Sequence, residues 1–365
     1  MSAFPSHAES TPLAKRLAAR IASGGPIPVY DYMEACLYDA EYGYYRKRAA
    51  IGQGGDFITA PEISQIFGEL IGLWAGEVWR QMGEPSPVHL IELGPGRGVL
   101  MADALRALKV VPGFLSAAAV HLVESSQALA EVQQAALAKA PVRLCWHSDI
   151  SDVPAGASIV IANEFFDCLP VRQFVFEGGA GKWRERMVSF EDGAFRFADG
   201  PFAEPPPRGA DAAGLEHGAI IECRPAVQAM IDAFAARSPL AALIIDYGYS
   251  RLSSGDTVQA VKGHRFAGLF DAPGESDITA HVDFLALKEA AAGARLNAFG
   301  PMPMGEWLLR LGLEARLGQL VARASDEEAA DMRSRVARLA DPAQMGALFK
   351  VLALTHGFPA VPPPF

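Results

Sequence analysis

Apolar and polar positions follow two rhythms along this chain, and the change falls near residue 86. Up to that point the spacing predicts helices. Thr11 can cap a helix with Pro12 in its first turn, and Leu13, Leu17 and Ile21 share one face until Gly24-Gly25-Pro26 ends it. Pro61 opens a second helix on which Ile63, Ile66, Phe67, Leu70, Leu73, Trp74 and Val78 form a broad apolar stripe, with Trp74 and Trp79 assigned to core. Beyond Pro87, short apolar runs at 88–93, 119–124, 142–146, 158–163 and 241–246 alternate with helical patterns at about 98–109, 125–139 and 222–237. That alternation predicts an α/β fold, a Rossmann-like parallel sheet with helices on both faces.

Two stretches break the order. Residues 177–217 are polar and glycine-rich, and 174–176, 183–188 and 194–197 alternate like antiparallel strands, so a β-hairpin insertion is expected there. Pro205-Pro206-Pro207 reads as an extended connector. Residues 251–310 read as irregular, with 277–284 opening a helix. Ser325 and Glu328 form a capping box for a helix that buries Ala329, Met332, Val336 and Leu339, and the tail 362–365 reads as disordered.

Composition narrows the partners. Half of the 365 residues are hydrophobic, enough for a large core, while a net charge of −10 argues against a general nucleic-acid binder. Arg46-Lys47-Arg48 is the one tight basic triplet and reads as a solvated loop. The four scattered cysteines form no C-x-x-C pair and read as reduced thiols. The eight histidines show no ligand spacing, so no metal is expected. No apolar run reaches the length of a membrane span, so no membrane insertion is expected. The first residues lack an apolar signal core, and Glu9 counts against a transit peptide, so the expected location is cytoplasmic.

The chemistry starts at Glu92-Leu93-Gly94-Pro95-Gly96-Arg97-Gly98, a glycine turn between a strand and a helix. Such a turn brings bare backbone up to a nucleotide-like ligand. A dinucleotide fingerprint needs its third glycine where Val99 stands, so a nicotinamide enzyme is disfavoured. Gly-x-Gly-x-Gly with Glu92 two places ahead instead resembles the S-adenosylmethionine site of class I methyltransferases. Successive strand ends then supply acids along one sheet edge. Glu124 can accept both ribose hydroxyls, Asp149 can take an adenine amino group with Ile150 against the ring, and Asn163, Glu164 and Asp167 sit where the reacting atoms should meet. Glu164 and Asp167 also admit a plain role as helix caps, and His281 reads as a helix-start or loop-packing residue.

Longer motifs make the resemblance specific: 55–64 (Gly-Asp-Phe-Ile-Thr-Ala-Pro-Glu-Ile-Ser), 163–170 (Asn-Glu-Phe-Phe-Asp-Cys-Leu-Pro), 246–249, 277–284 and 345–352. Together they resemble the MidA-like methyltransferase family from about Tyr30 to Leu354, with Cys168 standing where a small residue such as alanine is usual. The resemblance implies a class I fold, with a seven-stranded sheet whose last pair is antiparallel, and S-adenosylmethionine as cofactor. It implies a protein substrate, an arginine of a respiratory complex I core subunit, because the family's mitochondrial members assist assembly of that complex. The glycine motif, Glu124 and Asp149 carry over as cofactor residues, and Thr59 and Glu62 close the methionine end. Asn163 positions the methionine part. Glu164 and Asp167 are the expected catalytic carboxylates, with Asp56 in reserve. The expected organisation is a helical region over 1–85 with a cofactor-covering loop, then a methyltransferase domain over 86–365 with insertions at about 177–217 and 251–310. Two other readings stay open: a methyltransferase for a small molecule or another side chain, and an assembly chaperone that keeps the cofactor as structure.

Overall fold

A computed structural model describes residues 11–46, 59–178, 181–204, 206, 214–251 and 253–365. Helices α1 (Pro12–Gly24), α2 (Val29–Tyr38), α3 (Ala60–Ile63) and α4 (Gln65–Gln81) come first. Thr11 caps α1 by accepting from the Ala14 amide, and the apolar stripe 13, 17, 21 is buried as the spacing predicts. The helix expected from Pro61 is broken at Ser64, whose extended backbone ends α3 and whose hydroxyl accepts from the Ile66 amide to start α4.

The alternating region builds β1 (Val88–Leu93), α5 (Val99–Leu108), β2 (Ala118–Val123), α6 (Gln127–Ala136), β3 (Arg143–His147) and β4 (Ser158–Asn163). An antiparallel sheet interrupts it with β5 (Arg172–Phe176), β6 (Trp183–Glu191), β7 (Ala194–Ala203) and β8 (Ile220–Cys223). Helix α7 (Ala226–Ala235) and β9 (Leu240–Tyr249) resume the main pattern. The stretch expected to be irregular instead folds into β10 (Gln259–Lys262), β11 (Arg265–Ala267), β12 (Asp277–Thr279), α8 (Phe284–Gly293), β13 (Asn297–Pro303) and α9 (Met304–Arg310). Most of its strands are only two to four residues long, too short to show a period, and the longer β13 is broken by a register shift between Phe299 and Met302. Residues 277–279 are strand rather than helix start, and Asp283 caps α8 with its carboxylate on the Leu285 and Ala286 amides. Last come α10 (Leu313–Val321), α11 (Asp326–Ala340) and β14 (Phe349–His356).

The main sheet runs β13-β14-β9-β4-β1-β2-β3, with β14 antiparallel to both neighbours, and a short strand at 282–283 extends it alongside β9. Both faces of β1, β4 and β9 are covered, which is why those strands read as continuous apolar runs. One face packs on α4 and α5 through Leu90, Val120, Ile161 and Leu243, the other on α7 and α8 through Ile91, Leu93, Val160 and Ile244. Helix α4 lies very close to α5: a Cβ on Gly72 would stand 2.5 Å from the Ala104 carbonyl oxygen. Helices α1 and α2 pack instead against β6, β7 and β12, a separate core around Tyr32, Val188 and Ile278.

On the α7 face, three histidines from adjacent strands form a hydrogen-bonded row. His89 Nδ1 lies 2.9 Å from His121 Nε2, and His121 Nδ1 lies 2.9 Å from His147 Nε2. The Arg237 guanidinium clamps the loop above them by donating to the Ile150, Val153 and Pro154 carbonyls. The C-terminal tail is ordered, contrary to its composition: the Trp74 indole donates to the Pro363 carbonyl at 2.9 Å. In α11, the Ser325–Glu328 capping box forms as expected, and Ala329, Val336 and Leu339 are buried while Met332 is half-buried.

Candidate active site

The glycine run lies at the carboxyl edge of the sheet, with Gly94, Gly96 and Gly98 at φ of 60°, 54° and 79°. That left-handed region is cheap only for glycine. A Cβ on Gly94 would also meet the Phe165 ring at 3.0 Å. Two cavities open on either side of this loop. A larger one of about 330 Å³ is lined by Leu93, Glu124, Asp149, Ile150, Phe165 and Tyr38 among others. A smaller one of about 60 Å³ is lined by Thr59, Glu62, Glu92, Pro95, Arg97 and Asn163 among others. Gly94, Gly96 and Glu164 border both.

In the larger cavity the acids are already engaged. Glu124 Oε1 accepts from the Ser126 amide at 2.7 Å, and Oε2 accepts from Gln133 Nε2 at 3.1 Å. Asp149 Oδ1 accepts from the Ser151 amide and hydroxyl at 2.8 and 2.7 Å, and these bonds hold its pKa below the usual value. Ile150 is buried beside it.

The smaller cavity is different. Glu92 is buried, its Oε2 has no hydrogen-bond partner among the described residues, and burial pushes its pKa up to about 8. Asn163 Oδ1 is likewise buried and unpartnered. Two orphaned acceptors facing one small space suit a cationic donor such as an α-ammonium group. Glu62 stands 3.7 Å from the Arg97 guanidinium at the outer wall.

Glu164 holds a φ of 50°, unusual for a side-chain-bearing residue and of the kind found at functional sites. Its Oε1 accepts from the Ala60 amide at 3.0 Å and from Asn163 Nδ2 at 3.2 Å. Burial, and then the charge of Asp167, raise its pKa to about 7. Asp167 lies behind it, buried and lining neither cavity, with its pKa also raised by burial. Beneath both, Asp246 on β9 accepts from the Phe166, Asp167 and Tyr247 amides, and burial and its acidic neighbours push its pKa well up. No helix follows β4, so neither Glu164 nor Asp167 is a helix cap. Asp56 lies outside the described residues. His281 packs edge-on against Tyr247 at 5.5 Å and its amide donates to Thr257, a loop-packing residue as expected.

Residues the sequence did not single out complete the walls. Tyr38 and Tyr45 arrive from the N-terminal region, where Tyr38 donates to the Cys168 carbonyl and Tyr45 to Asp277. No local pattern marks them. Gln133 did carry a signal, a polar residue four positions after Leu129 on the buried face of α6.

A sheet in this order with a glycine loop between two such cavities defines a class I S-adenosylmethionine-dependent methyltransferase. A family model described as "Putative S-adenosyl-L-methionine-dependent methyltransferase" matches residues 70–302. The chain belongs to that family, and S-adenosylmethionine is its cofactor. It is 39% identical to the mitochondrial protein arginine methyltransferase NDUFAF7 homolog of Drosophila melanogaster, over 94% of this chain and 85% of that protein. To human NDUFAF7 it is 34% identical, over 96% and 85%. A Burkholderia thailandensis protein crystallised with S-adenosyl-homocysteine superposes with a TM-score of 0.82 at 32% identity, over 96% of this chain and 93% of that one.

These relatives overturn one expectation. Both NDUFAF7 proteins are mitochondrial, against the cytoplasmic location expected for this chain. An apolar core is a feature of secretory signals and does not bear on organelles, and organelle signals are poor in acidic residues without being free of them. Among the described residues no helix is long and apolar enough to cross a membrane.

Proposed function

We propose that this methyltransferase acts on an arginine side chain of a protein, and that its target is a respiratory complex I core subunit, as the MidA-like resemblance implies. The observation that carries the arginine reading is Glu164 at the junction of both cavities, backed by Asp167 and Asp246. The NDUFAF7 relatives, named as protein arginine methyltransferases, support it.

The bound cofactor supplies a sulfonium methyl group, already activated for transfer. The residues hold and align. Glu124 takes the ribose hydroxyls, and Asp149 and Ile150 take the adenine. Glu92 and Asn163 take the methionine ammonium, with Thr59, Glu62 and the backbone of Gly94, Pro95, Gly96 and Gly98 closing around that end. Guanidinium stays charged, with a pKa above about 12, so its nitrogen electrons are delocalised. Glu164 grips the far nitrogens, localises that density and aims one nitrogen at the methyl group. An arriving cation favours the ionised form of Glu164, whose proton passes to solvent.

The test is to incubate the protein with labelled S-adenosylmethionine and an extract of cells lacking it. A labelled protein whose mark maps by mass spectrometry to an arginine supports the reading. Label confined to small molecules would move the assignment to a small-molecule acceptor. Assembly of the partner complex surviving Glu164→Gln would move it to a scaffold.

A further inference from the structure

Helix α6 carries a fully buried glutamine whose amide joins two parts of the cofactor site, the glycine loop and Glu124, to β3. Gln133 Nε2 donates to the Gly96 carbonyl at 2.8 Å and to Glu124 Oε2 at 3.1 Å, while its Oε1 accepts from the Trp146 indole of β3 at 3.0 Å. Both amide hydrogens and the carbonyl are thereby used. The indole can only donate, so it fixes which way the amide points. The helix packs on the end of the glycine loop at Gly98, where a Cβ would rest in ordinary contact with the Gln133 backbone at 3.5 Å.

We propose that Gln133 is a positioning residue that sets ribose recognition, holding the Glu124 carboxylate and the glycine loop in fixed register. The proposal rests on the placement of the ribose at Glu124. Oε1 accepts from the Ser126 amide and Oε2 from Gln133, the Ser125 amide also attracts the carboxylate, and the group so held still lines the larger cavity, where two hydroxyls can reach it. A carboxylate so held keeps one rotamer, and two vicinal hydroxyls need that one rotamer. Burial disfavours the charged form of Glu124, and the Ser126 and Gln133 donors oppose that effect. The Trp146 link makes the arrangement a chain from β3 to the glycine loop, so disturbing either end loosens the carboxylate between them.

The experiment compares binding of S-adenosylhomocysteine and its 2′,3′-dideoxy analogue by calorimetry, with the full chain and with Gln133→Met. The wild type is expected to prefer the hydroxylated ligand by about tenfold or more, the worth of a charge-assisted hydrogen bond. In Gln133→Met that preference is expected to shrink to about threefold or less, with KM for the cofactor raised and kcat at saturation within about twofold. A glutamine that merely fills space would weaken both ligands equally and leave their ratio intact, and that result overturns the proposal. If Gln133→Met does not fold, Trp146→Phe removes the orienting donor from outside, and an unchanged ratio there overturns it equally. A wild type with no preference between the ligands would instead refute the ribose placement at Glu124.

Discussion

The two cavities beside the glycine loop hold their acids in opposite ways. In the larger, Glu124 and Asp149 are tied by backbone amides and neighbouring side chains before any ligand arrives. In the smaller, Glu92 and Asn163 keep buried oxygens without a partner, and Glu92 is neutral below about pH 8. The first end is preorganised and costs little to use. The second keeps its acid protonated and its oxygens unpaired until a bound cation engages them. With the cofactor placed as proposed, its adenosyl group would meet a finished surface, whereas its amino-acid end would complete the surface by binding.

Glu164, at the border of the two, gives the largest expected effect. Glu164→Gln should lower methyl transfer by about 100-fold while leaving S-adenosylhomocysteine affinity nearly unchanged. In the wild type the rate should rise with pH through about 7, as the carboxyl ionises, and this step should vanish in the variant. Equal losses of binding and rate would assign Glu164 to the donor instead.

Glu124→Gln should weaken adenosine and S-adenosylhomocysteine alike, by about 10- to 100-fold, because both ligands share the preorganised end. Calorimetry showing a loss for only one of them would break the contrast between the ends. Glu92→Gln tests the other end. Its carboxyl must lose a proton to hold an ammonium, so wild-type affinity for S-adenosylhomocysteine should climb by up to about tenfold per pH unit from about pH 6 to 8 and then level off. The variant should show a flat profile, and adenosine should show none of this slope with either protein.

The smallest effect lies under the adenosine end, in the histidine row. Burial, then the neighbouring histidines, lower the His121 pKa to about 4. The unfolded chain therefore takes up a proton near pH 6.5 that the folded protein refuses, so this contribution is whole above that pH and is lost as pH falls. Between pH 6.5 and 5.5, denaturant melts should show wild type losing about 1 kcal/mol more than His121→Phe.

How far sequence reaches follows the same division. The main strands declared themselves because burial on both faces leaves continuous apolar runs, and Glu92, Glu124, Asp149 and Asn163 could be brought to one sheet edge because each lies at or just past the carboxyl end of a strand. Tyr38, Tyr45 and Asp246 could not, since they meet through contacts between segments about 80 to 230 residues apart. Asp167 was placed with Glu164 by proximity in the chain, yet the turn after β4 sends it behind the wall. The stretch from 251 to 310 hid its order because its strands are stabilised by pairing rather than by an apolar period.

The short helix ended by Ser64 has a wider consequence. One turn supplies Pro61 and Glu62 to the wall of the small cavity and, through the Ala60 amide, a hydrogen bond to Glu164. Any swing of that turn would unseal the compartment and withdraw the hydrogen bond in one motion, making the carboxyl less acidic. Substitutions at Ser64 would then alter the acid dependence of turnover although no ionisable group had been replaced.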